Sequence, residues 1–216
     1  IAARWDGDLA HPGWSFGVTG KKSRYKPMTL ILQLSTALPG AKEAEPLFSG
    51  LFLQPGRPYF VAVSMHLADG GDGADGKEKA GGVTFFIKDL SNDDEPMQTA
   101  RVPHHTTALP TISAPLTLGG RWGAQKHLWD GLIDDVRLSD VALRGEQLLL
   151  TTEGVTDHTV GYWRFESRTG AFNDSSPNGR NLMTITTDAG ARDTSLDAWV
   201  DFCHVLINSN ELIYVD

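Results

Sequence analysis

The chain has 216 residues, 40% of them hydrophobic and 21% charged, and its 27 acidic residues outnumber 19 basic ones to give a formal charge of −8. This composition is typical of a folded globular chain and excludes wholesale disorder, while the acidic balance without a basic stripe argues against phosphate-driven binding of nucleic acid. No apolar run approaches the ~18 residues of a membrane-spanning helix, and the single cysteine, Cys203, excludes an internal disulfide.

Short segments rich in β-branched and aromatic residues, punctuated by glycine and proline, predict an all-β sandwich. Within 28–35, strict alternation places Leu30, Leu32 and Leu34 on one face, opposite a face that includes Gln33. In chain order the predicted strands are Ile1–Trp5, Trp14–Val18, Met28–Ser35, Phe48–Leu53, Tyr59–His66, Gly82–Lys88, Met97–Val102, Leu116–Gly119, Trp129–Leu138 and Val160–Glu166.

Helical patterns are scarce. The two candidates are Leu143–Thr151 and Leu196–Leu206, each preceded by residues that can cap a helix N-terminus. The chain turns polar and irregular over 168–195. We therefore expect one β-domain over residues 1–185, followed by a linker and a short C-terminal helical tail over 186–216.

Two stretches carry motifs in a distinctive order. Residues 116–150 contain LGG, then W-D-G-L-I-D-D-V-R-L, then A-L-x-x-E-Q, and residues 161–182 contain W-x-F…D-S-S-x-N-G. In this succession the chain resembles the laminin-G-like, concanavalin A-like jelly-roll family over residues 1–185. The resemblance implies a jelly-roll β-sandwich. The strands that normally precede the R-W-D-G element (4–7) have no counterpart here, so either the domain lacks them or the GYWRFE segment (161–166) fills their place.

The last residues carry a second resemblance. The tail DAWVDFCHVLINSNELIYVD (197–216) resembles the C-terminus of large planctomycete-type cytochrome surface proteins, which combine a haem module with other domains and often with an inserted laminin-G-like domain. This implies a multidomain parent protein in an extracytoplasmic location, periplasmic or at the cell surface. No C-x-x-C-H sequence surrounds Cys203, so the sequence predicts no covalent haem and no other cofactor except calcium, which stays open.

Glycoside hydrolysis is the enzymatic reaction that this fold family invites. It needs two carboxylates flanking the scissile bond, and the glucanase branch carries them as E-x-D-x-x-E on one strand. None of the eight Glu residues has Asp two positions on, and the adjacent Cys203 and His204 diverge on a predicted helix. We therefore expect no enzyme activity, with an unrecognised polysaccharide-active hydrolase as an alternative.

Calcium would need a cage of oxygen ligands, and one loop offers candidates. The stretch 67–82 is rich in glycine and acid and lies between two strong strands, which predicts an exposed hairpin loop. Its candidate ligands are Asp69, Asp72 and Asp75, with Asp6 and Asp8 as a second set. A solvated acidic loop is the simpler interpretation, because repeat-type calcium sites require stacked copies of such a motif.

Carbohydrate binding is the function that the family resemblance most often implies. It uses aromatic faces against sugar C–H surfaces, with charged and amide groups that satisfy the hydroxyls. The candidate ligand-binding residues are Arg24, Tyr25, Arg121, Trp122 and His127, whereas Trp5, Trp14, Trp129 and Trp163 are expected in the core. We expect a non-catalytic binding or interaction domain whose partner is a carbohydrate; the alternative is a structural spacer that packs against neighbouring domains of its parent.

Overall fold

A computed structural model describes residues 1–36, 44–72, 78–79, 81–108, 111–123, 127–166, 172–185 and 213–214. Within these residues the fold is all-β with antiparallel pairing and contains no α-helix. The described residues include no helix that is long and apolar enough to cross a membrane. The chain divides into two compact units, one made of Ile1–Gly131 and Tyr214–Asp216 and the other of Leu132–Ile213. The predicted boundary near residue 185 falls at the edge of the described residues and stays a prediction.

The strands form four antiparallel sheets. They are β1 (Ala2–Arg4), β2 (Gly13–Val18), β3 (Thr29–Ser35), β4 (Glu45–Phe52), β5 (Pro58–His66), β6 (Asp69–Asp72), β7 (Glu78–Lys79), β8 (Gly81–Asp89), β9 (Gln98–His104), β10 (Thr117–Leu118), β11 (Val136–Ser139), β12 (Thr159–Trp163) and β13 (Ile213–Tyr214). One sheet has the order β10-β1-β2-β3-β4, and a second has the order β13-β5-β8-β9. The remaining two sheets are the pairs β6-β7 and β11-β12.

The two larger sheets share one hydrophobic core. From β3, Leu30, Leu32 and Leu34 enter it and are at most 4% exposed, which confirms the predicted alternation. From the other sheet, β8 contributes Val83, Phe85 and Ile87 by the same two-residue period. The first unit is therefore sandwich-like, and the outer face of each sheet is free to carry polar side chains.

One predicted strand starts seven residues late. The sequence predicts Trp129–Leu138 to be extended throughout, but β11 begins only at Val136. Asp135 adopts a left-handed backbone with φ of 44°, and its N–H is bonded to the Asp134 side chain at 3.0 Å. Both features break an extended ladder. The other nine predicted strands are confirmed, each with one or both ends shifted.

The predicted helix Leu143–Thr151 is wrong: the structure has a single 3-10 turn, Gly145–Gln147. An α-helix would use the carbonyls of this segment for its own N–H groups, but side chains take them instead. The hydroxyl of Thr151 donates to the Gly145 carbonyl at 2.9 Å, and Arg137 donates to the Gln147 carbonyl at 2.6 Å. Gly145 itself weakens a helix. The predicted helix Leu196–Leu206 lies outside the described residues.

In the second unit, the D-S-S-x-N-G element is a hydrogen-bonding hub for β12. The Asp174 carboxylate accepts the backbone N–H groups of Tyr162, Ser176 and Arg180, each at 2.9 Å. Beside it, the buried Trp163 donates its indole N–H to the Arg180 carbonyl at 2.8 Å. This motif therefore has a structural role, which is to close the segment after β12 onto that strand.

Candidate functional site

The first unit carries a groove of about 330 Å3 over the sheet β10-β1-β2-β3-β4. Its floor includes Ser15 and Gln33, which lie directly opposite each other on β2 and β3. Because their strand neighbours Phe16 and Leu32 belong to the core, Ser15 and Gln33 are on the face that points away from it. The groove thus occupies the outer face of this sheet.

A segment that follows β10 forms one wall of the groove with its described residues 120–121 and 127–129. It leaves the sheet at Gly119, whose N–H donates to the Ile1 carbonyl at 2.8 Å, and it returns at Trp129, whose N–H donates to the Gly119 carbonyl at 2.8 Å. Gly119 and Gly123 have φ of 79° and 67°, values that suit glycine. Because Trp129 is bonded back to Gly119, and Gly119 to the residue that precedes β1, Arg121 and Trp129 are brought to the edge of the groove.

Arg121 is fixed on the sheet by three contacts. Its guanidinium carbon lies 4.8 Å from the ring centroid of Trp5, a cation–π contact. Its Nε donates to the Ser15 hydroxyl at 3.3 Å, and its Nη2 donates to the Gln33 side-chain oxygen. The guanidinium is therefore held in a defined orientation.

Trp5, below Arg121, is only 3% exposed and donates its indole N–H to the Asp8 carbonyl at 2.9 Å. Its position depends on Gly13, because a Cβ at that residue would lie 2.4 Å from the Trp5 Cβ. A glycine at the start of β2 thus lets the Trp5 side chain approach the backbone of the strand that carries Ser15.

The groove is lined by a positive charge, although the chain as a whole is acidic. Its described lining contains no Asp or Glu, while it contains the cation Arg121 and the imidazole of His127. Burial lowers the pKa of Arg121, since removing water from the guanidinium disfavours its charged form. The groove therefore presents a partly desolvated positive charge in a chain whose formal charge is −8.

Only two of the five residues predicted to bind ligand line the groove. Arg121 and His127 line the groove, whereas Trp122, Arg24 and Tyr25 are exposed and are not among its lining residues. Tyr25 lies beside the groove floor rather than in it. Its ring centroid is 6.5 Å from that of Phe48, and Phe48 is the cross-strand neighbour of Ile31, a floor residue.

Sequence reasoning missed Ser15 and Gln33, and it weighed Trp5 and Trp129 as aromatic candidates but assigned them to the core. Trp5 is buried as expected, yet it is also the platform for Arg121. Trp129 packs against the core and lines the groove as well. The alternation of β3 places Gln33 on the outer face, which is the one available signal; nothing local indicates that Ser15 lies opposite it.

The calcium candidates are placed only in part. Asp75 lies outside the described residues, and the backbones of Asp69 and Asp72 pair with Lys79 and Glu78, so a ladder forms within the predicted hairpin loop. The part of the chain that the structure describes contains no group of three or more His, Cys, Asp or Glu suited to a metal ion. Calcium binding at residues 69–75 stays a prediction.

The second calcium candidate is a hydrogen-bonded turn. Asp6 accepts the Asp8 N–H at 2.9 Å and pairs with the His11 ring at 2.6 Å, while Asp8 accepts the Ala10 N–H at 2.9 Å. The bond to Asp6 raises the pKa of His11 above its usual 6.5. Burial opposes ionisation of Asp6, but the bonds from Asp8 and His11 outweigh it and lower the pKa of that carboxyl.

We expect Asp6→Asn to lower the pKa of His11 towards 6.5, as measured by an NMR titration of the His11 ring. Because the pKa of His11 is raised in the fold, this pair stabilises the fold below pH 6.5 and the contribution disappears as pH rises through the folded value. Asp8→Asn is the control, with a smaller expected effect because Asp8 does not bond the ring. An unchanged His11 titration in Asp6→Asn would contradict the pairing.

The chain was compared with protein-family models, with curated proteins and with solved structures, and none of the three comparisons found a match. The resemblance to the laminin-G-like family therefore remains a prediction from the motifs quoted above.

Proposed function

We propose that this chain is a non-catalytic binding domain that holds a carbohydrate in the groove on the outer face of the β10-β1-β2-β3-β4 sheet. The observation that carries the proposal is the guanidinium of Arg121, fixed over Trp5 by Ser15 and Gln33 at the floor of a groove of about 330 Å3. This volume is at the lower end of ligand pockets, which suits one or two sugar rings.

The lining has the mixed chemistry that sugars require. Trp129, Leu128 and Ile31 offer apolar surface to sugar C–H groups. Ser15, Gln33 and His127 carry groups that can donate or accept hydrogen bonds from hydroxyls. The groove therefore offers apolar contacts to the C–H groups of a sugar and hydrogen-bond partners to its hydroxyl groups.

The two alternatives receive less support. Hydrolysis of a glycosidic bond needs two carboxylates at the substrate, and the described lining offers neither Asp nor Glu. For the same reason we expect binding to survive a chelator, with calcium no part of this groove. A spacer that packs against neighbouring domains would use the groove as a covered surface, and it would bind no glycan in isolation.

The wider setting is part of the proposal. Two antiparallel sheets that share a core support a jelly-roll sandwich of the concanavalin A-like kind. An extracytoplasmic location and a multidomain parent protein rest on the sequence resemblance of the tail and of residues 116–150.

The test blocks the groove without removing a contact. Gly17 is on β2 within the groove lining, and a Cβ there would have the Ile1 N as its nearest atom, at an ordinary 3.6 Å. Gly17→Leu should therefore fold, since a glycine inside a strand weakens it and a Cβ fits here, while the leucine side chain occupies the groove. We expect a glycan array to identify a ligand for the natural chain, with and without chelator, and Gly17→Leu to bind it at least tenfold more weakly.

Thr99→Leu is the matched control, because it adds the same side chain at an exposed position of β9 in the other sheet. Both variants should keep the thermal unfolding midpoint of the natural chain to within a few degrees. Equal glycan binding by Gly17→Leu and Thr99→Leu would contradict the location of the site. Binding of no glycan by the natural chain would contradict the function and favour the spacer.

A further inference from the structure

We propose that the groove selects an acidic sugar, one that carries a carboxylate, and that Arg121 is the residue that recognises this carboxylate. The inference rests on the proposed function and adds the class of ligand to it. It follows from the donors that Arg121 still has, from the absence of an acidic partner among the described residues, and from the fixed position of its guanidinium.

Arg121 keeps most of its hydrogen-bonding capacity. A guanidinium has five N–H donors, and the described residues accept two of them, one from Nε and one from Nη2. Nε and Nη2 share one side edge of the guanidinium, and their acceptors, Ser15 and Gln33, are direct cross-strand neighbours. The end-on edge is formed by Nη1 and the second hydrogen of Nη2. Its two N–H donors have the spacing that matches the two oxygens of a carboxylate.

The charge of Arg121 is not balanced by an ion pair. The salt bridges of the described residues do not include it, although it is half-buried. Its pKa is lowered by burial, and no carboxylate raises it. A partly buried cation with only neutral partners gains more from an anion than an exposed one does, because water screens their attraction less.

The two acidic residues that flank Gly7 are engaged elsewhere. Gly7 lies close to Arg121, since a Cβ on Gly7 would be 3.7 Å from Nη1, and Asp6 and Asp8 flank it. The Asp6 carboxylate bonds His11 and the Asp8 N–H, and the Asp8 carboxylate bonds the Ala10 N–H. These carboxylates build their own turn and leave the guanidinium without a charged partner.

The experiment compares three trisaccharides that differ only at C6. One is the trimer of α-1,4-linked galacturonic acid, the second is the same trimer reduced to primary alcohols, and the third carries sulfate esters on those alcohols. Calorimetric titration of the full chain is expected to give at least tenfold tighter binding of the carboxylate trimer than of the neutral one, because hydrogen bonds to charged groups are the stronger kind. That preference should shrink as salt is raised.

Two variants assign the preference to Arg121. Arg121→Gln should bind the acidic and the neutral trimer within threefold of each other, and Arg121→Lys should recover only part of the preference because it lacks the planar fork. Arg144→Gln is the matched control, since it removes an equally charged, exposed side chain in the second unit and should keep the full preference. Thermal unfolding of each variant checks that Trp5 stays packed without Arg121.

The outcomes separate this inference from the function on which it rests. If the natural chain binds the neutral and the carboxylate trimers equally, the groove binds carbohydrate but the acidic class is wrong. If the sulfated trimer binds more tightly than the carboxylate trimer, a carboxylate is not the recognised group. If Arg121→Gln keeps the preference, another residue is responsible. If no trimer binds and no other glycan does, the proposed function fails as well.

Discussion

Phe85→Ala should lower the free energy of unfolding by about 4 kcal/mol, the usual cost of removing a buried aromatic side chain. Phe85 has no exposed surface and lies on β8 within the core that the two larger sheets share. The deletion removes its apolar contacts and leaves a cavity that the strands on either side, β5 and β9, cannot fill. Urea unfolding, followed by tryptophan fluorescence, measures the loss.

Phe52→Ala is the matched control, because Phe52 is 59% exposed at the end of β4. We expect its effect to stay within about 0.5 kcal/mol, as for most surface substitutions. Equal destabilisation by the two substitutions would mean that the sheets do not share the core described above. In that case the outer face of the first sheet, and the groove on it, would be placed wrongly.

The second large effect is expected in the other unit. Asp174→Ala should destabilise this unit by about 2 kcal/mol, because the carboxylate accepts three backbone N–H groups and hydrogen bonds to charged acceptors are the stronger kind. Amide hydrogen exchange at Tyr162, Ser176 and Arg180 gives a local readout, and all three amides should lose protection. Asp174→Asn keeps one carbonyl oxygen and should lose about half as much.

The same carboxylate makes the stability of this unit depend on pH in the acidic range. Burial disfavours the charge of Asp174, but the three N–H groups outweigh it and lower its pKa below the usual 3.8. The stabilisation is therefore complete above pH 3.8 and disappears as pH falls through the lower value found in the fold. Asp174→Asn should remove this acid-dependent part of the protection, and an unchanged acid profile in that variant would contradict the role given to Asp174.

Much of the sheet structure can be predicted from sequence because its signal is local. The alternation of Leu30, Leu32 and Leu34 has a period of two, and the side of the sheet that each faces follows from it directly. Turn residues between the strands mark where each strand ends. Each of these features depends on only a few neighbouring residues, so the sequence is sufficient to predict them.

The groove can be predicted only in part, because it is produced by pairing between distant segments. Arg121 and His127 are candidates by residue type in a polar loop, and the structure places both at the groove. The partners that hold Arg121 come from β2, β3 and the end of β1, about 90 to 115 positions earlier in the chain. Their meeting depends on the register of Ser15 against Gln33, for which the sequence carries no separate signal.

Side-chain hydrogen bonds that compete with regular backbone pairing explain the incorrect predictions. The segment 143–151 has a helical pattern, but its carbonyls accept bonds from the side chains of Arg137 and Thr151 instead. The predicted strand Met97–Val102 stops two residues short, because β9 continues to His104, which is 1% exposed. Its Nδ1 accepts the Thr106 N–H, which leaves Nε2 as the donor to the His66 carbonyl. In each case a side-chain bond outweighs the pattern of the surrounding residues.

The claim that ligand binds on the outer face of the β10-β1-β2-β3-β4 sheet is tested most directly by an NMR titration of the isotope-labelled chain with the glycan that binds best. We predict that the largest changes in chemical shift fall on the amides of Ser15, Gly17, Ile31 and Gln33 and on the indole N–H of Trp129. Changes confined to the hairpin at 67–82 or to the second unit, with these groups unmoved, would contradict it.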